Sequence, residues 1–262
     1  MGISIGVLSL KGGVGKTSVV SALGDALSGF GRRVLLVDGN LSAPNLGMHL
    51  NIIDPEVTLQ HVLERKANAH KAICKLDNFD VIPASVHRRS VNPLKLPNRI
   101  GSLKNKYDMT LIDSSPALNE ETLGVMLASD GILAVATPDY PTLRTTSEAI
   151  KMARRRGTPI IGMVLNKVHD KKFEMPIEEV EEMAKVPVMA AIPHDVDILK
   201  SLAEFTPSTR HKPNSKASEE YKKLAATLIG EKYKPKRFRD RFNRKVKRPE
   251  VNREVYYERV FG

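Results

Sequence analysis

The 262-residue chain has no tryptophan, and only 7 Phe and 6 Tyr supply aromatic bulk. Apolar residues nevertheless make up 41% of the chain, so a core of ordinary size has to be aliphatic. There is a single cysteine, Cys74, which excludes an internal disulfide, a Cys-x-x-Cys redox site and a cysteine zinc cluster built by one chain. A chain so poor in thiols suits a reducing compartment, and a cytoplasmic location is expected. No apolar run approaches the ~18 residues of a membrane span. No basic segment precedes the first apolar run, so a secretory leader is not expected.

Acidic residues are outnumbered, with 41 Lys and Arg against 30 Asp and Glu, a net charge of +11. The excess is uneven. Residues 231–262 hold 12 basic and 5 acidic side chains, which is +7 and leaves +4 for everything before them. A second basic run, Arg88, Arg89, Lys95, Arg99, Lys104 and Lys106, contains no acid. Such surfaces suit phosphate-bearing partners, either nucleic acid or anionic lipid, or simply serve solubility.

Short apolar or β-branched runs at 3–9, 33–37, 80–83, 107–112, 131–136, 160–166 and 188–192 read as strands. Helical patterns start near Gly15, Glu56, Asn119, Thr142, Pro176, Asp195 and Ser215. Apolar strands alternating with helices predict an α/β fold, a mostly parallel central sheet flanked by helices on both faces. The compact pattern ends near Gly230. This predicts one domain over residues 1–230 and a basic tail over 231–262.

The first strand runs into "SLKGGVGKTS". Gly12, Gly13 and Gly15 let backbone N–H groups converge on phosphate oxygens, and the helix that follows adds its positive end. Val14 and Ser18 complete this binding loop. Lys16 is placed to reach outer phosphates, and Thr17 to offer its hydroxyl to Mg²⁺. Leu10 stands where the usual motif has its first glycine, and a second lysine, Lys11, sits inside the loop. Two further strands end in acids, Asp38 and Asp113, at the sheet edge where ligands bind in open α/β folds. With Thr17 they form a candidate Mg²⁺ set. "NKVHD" places its acid one residue too late for guanine recognition, so adenine is the better base, with Asn166 able to bond a base edge.

Together these segments resemble the MinD/ParA family of deviant Walker A P-loop ATPases, in particular its archaeal MinD-like branch. The resemblance rests on KGGVGKTS, VDGNLSAPNLG, IDSSPALNEET, TPDYPTL, LNKV and IPHDVDILKSL, and runs from about Ser4 to Gly230. It implies a P-loop NTPase fold of the SIMIBI type, ATP and Mg²⁺ as ligands, and a homodimer formed on ATP binding. In such a dimer Lys11 would reach the partner's phosphates. Asn166 and Pro193 fall where the family holds adenine. The implied activity is ATP hydrolysis coupled to a switch that positions other cellular machinery, with a protein activator.

One departure stands out. Where the family commonly has Asp-x-Asp, this chain has Asp38-Gly39-Asn40. An amide can orient a water but cannot take its proton, so Asn40 predicts slow or partner-dependent hydrolysis. Cys74 alone argues against the iron–sulfur carriers of the superfamily. In the tail, Phe238, Phe242 and Val246 fall four apart among basic residues, the pattern of a membrane-surface helix. That predicts peripheral membrane attachment, with DNA-backbone binding and a docking helix for a protein as the rivals. The competing functional readings are a non-hydrolysing nucleotide-gated scaffold and a ParA-like DNA-partitioning ATPase.

Overall fold

The computed structural model describes residues 2–87 and 91–233. The tail residues Phe238, Phe242 and Val246, and the basic residues Arg88 and Arg89, lie outside the described residues.

Among the described residues eight strands form one sheet: β1 (Ile3–Leu8), β2 (Val34–Asp38), β3 (Cys74–Lys75), β4 (Asp80–Ile82), β5 (Met109–Asp113), β6 (Gly131–Ala136), β7 (Ile160–Val168) and β8 (Val188–Pro193). Their order is β3-β4-β2-β5-β1-β6-β7-β8, and every pairing is parallel except β3 with β4. The apolar runs decide this. All five residues of β2 and of β5 are buried, as central parallel strands covered on both faces must be. The antiparallel β3 strand was not foreseen; two residues are too few to show a period.

Among the described residues ten α-helices cover the sheet: α1 (Lys16–Gly29), α2 (Leu46–His49), α3 (Leu59–Leu63), α4 (Leu96–Ile100), α5 (Glu120–Ala128), α6 (Tyr140–Arg155), α7 (Ile177–Ala184), α8 (Val196–Ala203), α9 (Ser208–His211) and α10 (Lys216–Leu228). The seven expected helices are present with shifted starts. The additional ones, α2, α4 and α9, span four or five residues, about one turn, and show no helical periodicity. Helix α6 starts at Tyr140, ahead of Thr142, because Asp139 accepts from the Thr142 amide and Pro141 occupies the first turn.

Strand alternation splits the core in two. Leu36 and Leu111 face α1 and α10, packing with Leu23, Leu27, Tyr221 and Leu224. Their neighbours Leu35, Val37 and Ile112 face the opposite side, with Val62, Leu96, Ile100 and Met126 from α3, α4 and α5. A third cluster joins Met163 and Leu165 of β7 to Leu143 and Ile150 of α6 and Val180 of α7. The described chain stays packed as far as Tyr233, whose ring meets Phe30 edge-on at 6.1 Å. Among the described residues no helix is long and apolar enough to cross a membrane.

Two register facts position the site. The β2–β5 pairing sets Asp38 directly opposite Asp113. The β1–β5 pairing sets Val7 opposite Asp113, so the glycine-rich loop leaves β1 beside both acids.

Candidate functional site

The loop between β1 and α1 can only be made with glycine at two points. Gly13 and Gly15 have φ of 78° and 86°, in the left-handed region. At Gly15 a Cβ would also lie 2.4 Å from Nδ2 of Asn166. Beside Gly12 and Gly13, by contrast, a Cβ would meet nothing within 4 Å, so backbone there faces open space. No side chain caps α1 and its first turn holds no acid, which leaves its amide donors and positive end for an anion. Val14 is buried beneath the loop and anchors it.

Lys16 and Thr17 both turn to one acid. Lys16 Nζ donates to Asp113 Oδ1 at 2.5 Å and to the carbonyl of Ser114. Thr17 Oγ1 donates to Asp113 Oδ2 at 2.6 Å. Asp38 is fully buried next to Asp113, and its oxygens accept from the amides of Asn40 (3.2 Å) and Leu46 (3.0 Å). Burial and then the neighbouring Asp113 charge push the Asp38 carboxyl up to about 8, outweighing the two amides and Lys16. Two carboxylates abreast with one lysine form a site that favours additional positive charge.

Above this base opens a cleft of about 460 Å³. The whole predicted loop lines it, Lys11 to Ser18, together with Asn40, Asn166 and Pro193. Asp38 and Asp113 lie beneath rather than in its wall. The structure therefore brings the predicted residues to one place. It adds His49, which no quoted motif includes, and gives wall positions to Pro116 of IDSSPALNEET and to His194, Ile198, Leu199 and Leu202 of IPHDVDILKSL. The apolar α8 stripe was visible in IPHDVDILKSL, but its position over the cleft depends on long-range packing. Burial lowers the pKa of His49 first; Asp113 opposes that and Lys16 adds to it.

Three side chains have placements that motif reading left open. Lys11 Nζ donates to Thr142 Oγ1 at 2.9 Å and to Asp139 Oδ1 at 3.4 Å, at the start of α6 in the same chain. Asn40 turns toward its own loop: Nδ2 donates to the Ala43 carbonyl and Oδ1 accepts from the Ala43 amide at 3.4 Å. Asn166 Nδ2 donates to the Val14 carbonyl at 2.7 Å, while its Oδ1 is buried without a partner among the described residues. An orphaned acceptor at the cleft wall fits an amino donor such as the exocyclic amine of adenine. The oxygen donors Thr17, Asp38 and Asp113 likewise fit a hard divalent cation such as Mg²⁺.

A parallel sheet whose first strand opens through such a loop into a helix, with acids at two neighbouring strand ends, defines a P-loop nucleotide-binding protein. A family described as an AAA domain matches residues 3–156, and one described as NUBPL iron-transfer P-loop NTPase matches residues 102–229. The chain is similar to an ATP-binding protein of Methanocaldococcus jannaschii, 32% identical over 89% of this chain and 90% of that one. It is also similar to the solved structure of the Pyrococcus furiosus cell division ATPase MinD. Identity there is 36% and the TM-score 0.84, over 88% of this chain and 99% of that one. The septum site-determining protein MinD of Pyrococcus horikoshii, complexed with Mg-ADP, is 34% identical with a TM-score of 0.83, over 87% and 96%. The chain belongs to the MinD/ParA family of P-loop ATPases.

Proposed function

We propose that this ATPase is a nucleotide-gated switch that binds Mg-ATP, dimerises on doing so, and positions other machinery at a cellular surface. The observation that carries the reading is the cluster under the loop: Asp38 and Asp113 abreast, with Lys16 and Thr17 on Asp113. In this reading the amides of Gly12, Gly13, Val14 and Gly15 and the start of α1 cradle the phosphates, and Ser18 lines the same loop. Lys16 leaves Asp113 for the outer phosphate oxygens. Thr17, Asp38 and Asp113 hold Mg²⁺, which neutralises phosphate charge when bound. Asn166 and Pro193 flank the adenine. The Pyrococcus horikoshii relative, solved with Mg-ADP, supports that ligand set.

Lys11 is half-exposed and, among the described residues, its ammonium is held by Thr142 and Asp139, contacts cheap to release. Crossing to a partner's phosphates would couple nucleotide binding to dimerisation, and hydrolysis would then part the subunits. Asn40 is engaged with Ala43, which supports slow turnover until an activator protein re-aims it. Residues 1–230 are assigned to this ATPase unit. The +7 tail over 231–262 is assigned to reversible membrane contact from the cytoplasm, two weak anchors per dimer acting together.

Steady-state phosphate release, measured alone, with anionic liposomes and with DNA, tests the reading. Basal turnover accelerated by liposomes and unaffected by DNA is expected. Acceleration by DNA alone would replace membrane attachment with DNA partitioning, and no turnover under any condition would leave a nucleotide-gated scaffold.

A further inference from the structure

A second concavity, of about 410 Å³, opens on the α3–α4 side of the sheet and shares no lining residue with the nucleotide cleft. Five cationic or titratable side chains line it: Arg65, Lys66, His70, Lys71 and Arg99. No Asp or Glu does. Lys66 Nζ meets Glu64 Oε2, outside the lining, at 3.0 Å. The floor is firm, since Val62 and Ala69 are buried in the core that also holds Leu96 and Ile100 of α4. Asn98 and Ser102 add neutral polar groups on the α4 side.

Two features set this apart from a solvated basic face. Arg99 lines the concavity half-buried, and its Nε is enclosed without an acceptor among the described residues, so no carboxylate already holds that edge of the guanidinium. Arg65 follows the C-cap of α3 with φ of 65°, a position where glycine is the usual residue. A charged side chain is kept there against the backbone's preference, as at Lys167 and Lys185. Four permanent cations around a walled space also focus their field on it. Guanidinium groups match phosphate oxygens in pairs, and the volume is that of a small-molecule site.

We propose that this bowl is a second anion site that takes a phosphoryl-bearing ligand, distinct from the nucleotide held by the glycine loop. The ligand is either a free phosphorylated small molecule or a phospholipid headgroup, which share the same chemistry. It gives Arg99 a role, whereas two other members of the same basic run are engaged elsewhere. Lys104 pairs with Asp130 at 2.7 Å, and Lys106 lies over the Tyr107 ring.

Calorimetric titration of the full chain with inorganic pyrophosphate tests this, comparing wild type with the double variant Arg65→Gly, Arg99→Gln. The expected result is one fewer pyrophosphate bound per chain in the variant, or at that site an affinity weakened about tenfold or more. Arg65→Gly alone should raise the melting temperature while weakening binding, because glycine relieves the backbone; a merely structural arginine could not give those opposite shifts. Should the double variant fold poorly, Lys66→Gln with Lys71→Gln, both exposed, serves in its place. A wild type that binds one pyrophosphate, lost in the variant, would support the bowl and count against the glycine loop. Sedimentation with phosphatidylglycerol vesicles separates the sources: vesicle binding weakened in the variant, the tail still contributing its share, with no pyrophosphate site assigns a lipid headgroup. Pyrophosphate and vesicle binding both equal to wild type would overturn the proposal.

Discussion

Lys16 Nζ lies 2.5 Å from Oδ1 of Asp113, in a pair where the lysine is 7% exposed and the carboxylate fully buried. The two residues have separate duties in the proposed reaction, one toward phosphate and the other toward Mg²⁺. Here each neutralises the other. In that reaction, loading the site would exchange this bond for two new ones. Breaking the pair from one side is the sensitive test. Asp113→Ala strands Lys16 in a buried position with only the Ser114 carbonyl and the more distant Asp38 to compensate. The expected loss is about 3 kcal/mol of stability. Urea unfolding without nucleotide measures it, and a loss under about 1 kcal/mol would mean that Lys16 escapes to solvent.

Lys11 offers the opposite case. Its bonds to Thr142 and Asp139 are near the surface, so Lys11→Ala should change stability by less than about 1 kcal/mol. Nucleotide binding by one chain should persist, since Lys16 and the loop amides are untouched. Dimerisation on adding ATP should disappear. Light scattering with and without ATP reads this directly. A variant that still dimerises would place the second lysine outside the interface.

Asn40→Asp asks whether the switch residue limits turnover. The carboxylate can accept a proton from water, which the amide cannot, and phosphate release should rise about tenfold or more. The same change removes the donor to the Ala43 carbonyl and sets a negative charge against it. A stability loss of about 1–2 kcal/mol should accompany the gain. Turnover no faster than wild type would mean that Asn40 stays turned to Ala43 when nucleotide is bound.

Much of this was legible in the sequence where the determinants are local. Strands such as β2 and β5 declare themselves because burial on both faces demands unbroken apolar runs. The loop residues Gly12 to Thr17 are readable because backbone geometry and phosphate chemistry act within a few residues. Asp38 and Asp113 were locatable as strand ends, though their exact opposition is a property of register. What escaped is non-local. The partner of Lys11 at Asp139 is 128 residues away. The basic bowl joins residues 65–71 to Arg99, and only Arg99 belonged to a basic run conspicuous in one dimension. Helices α2, α4 and α9 are too short to carry a period.

The opposition of Asp38 and Asp113 depends on the other end of the same two strands. Asp108 accepts from the Arg33 amide at 2.9 Å and from its guanidinium at 2.7 Å, tying the start of β2 to the start of β5. The guanidinium hydrogen bond, then the amide, holds the Asp108 carboxyl down to about 2, below the ~3.9 of an unfolded chain. Because the folded pKa is the lower one, the unfolded state binds more protons as acid is added. The contribution is whole above about pH 4 and is lost as pH falls through about 2. Asp108 is partly exposed, so solvent screens the effect and only a modest share of the acid transition belongs to it. Asp108→Asn keeps an acceptor for Arg33 but removes the titration. Its stability should fall less steeply than wild type between about pH 4 and pH 2, with the two proteins converging at the acid end. Chemical denaturation across that window, without nucleotide, checks it. Parallel curves would mean that Arg33 finds no more in the carboxylate than in an amide.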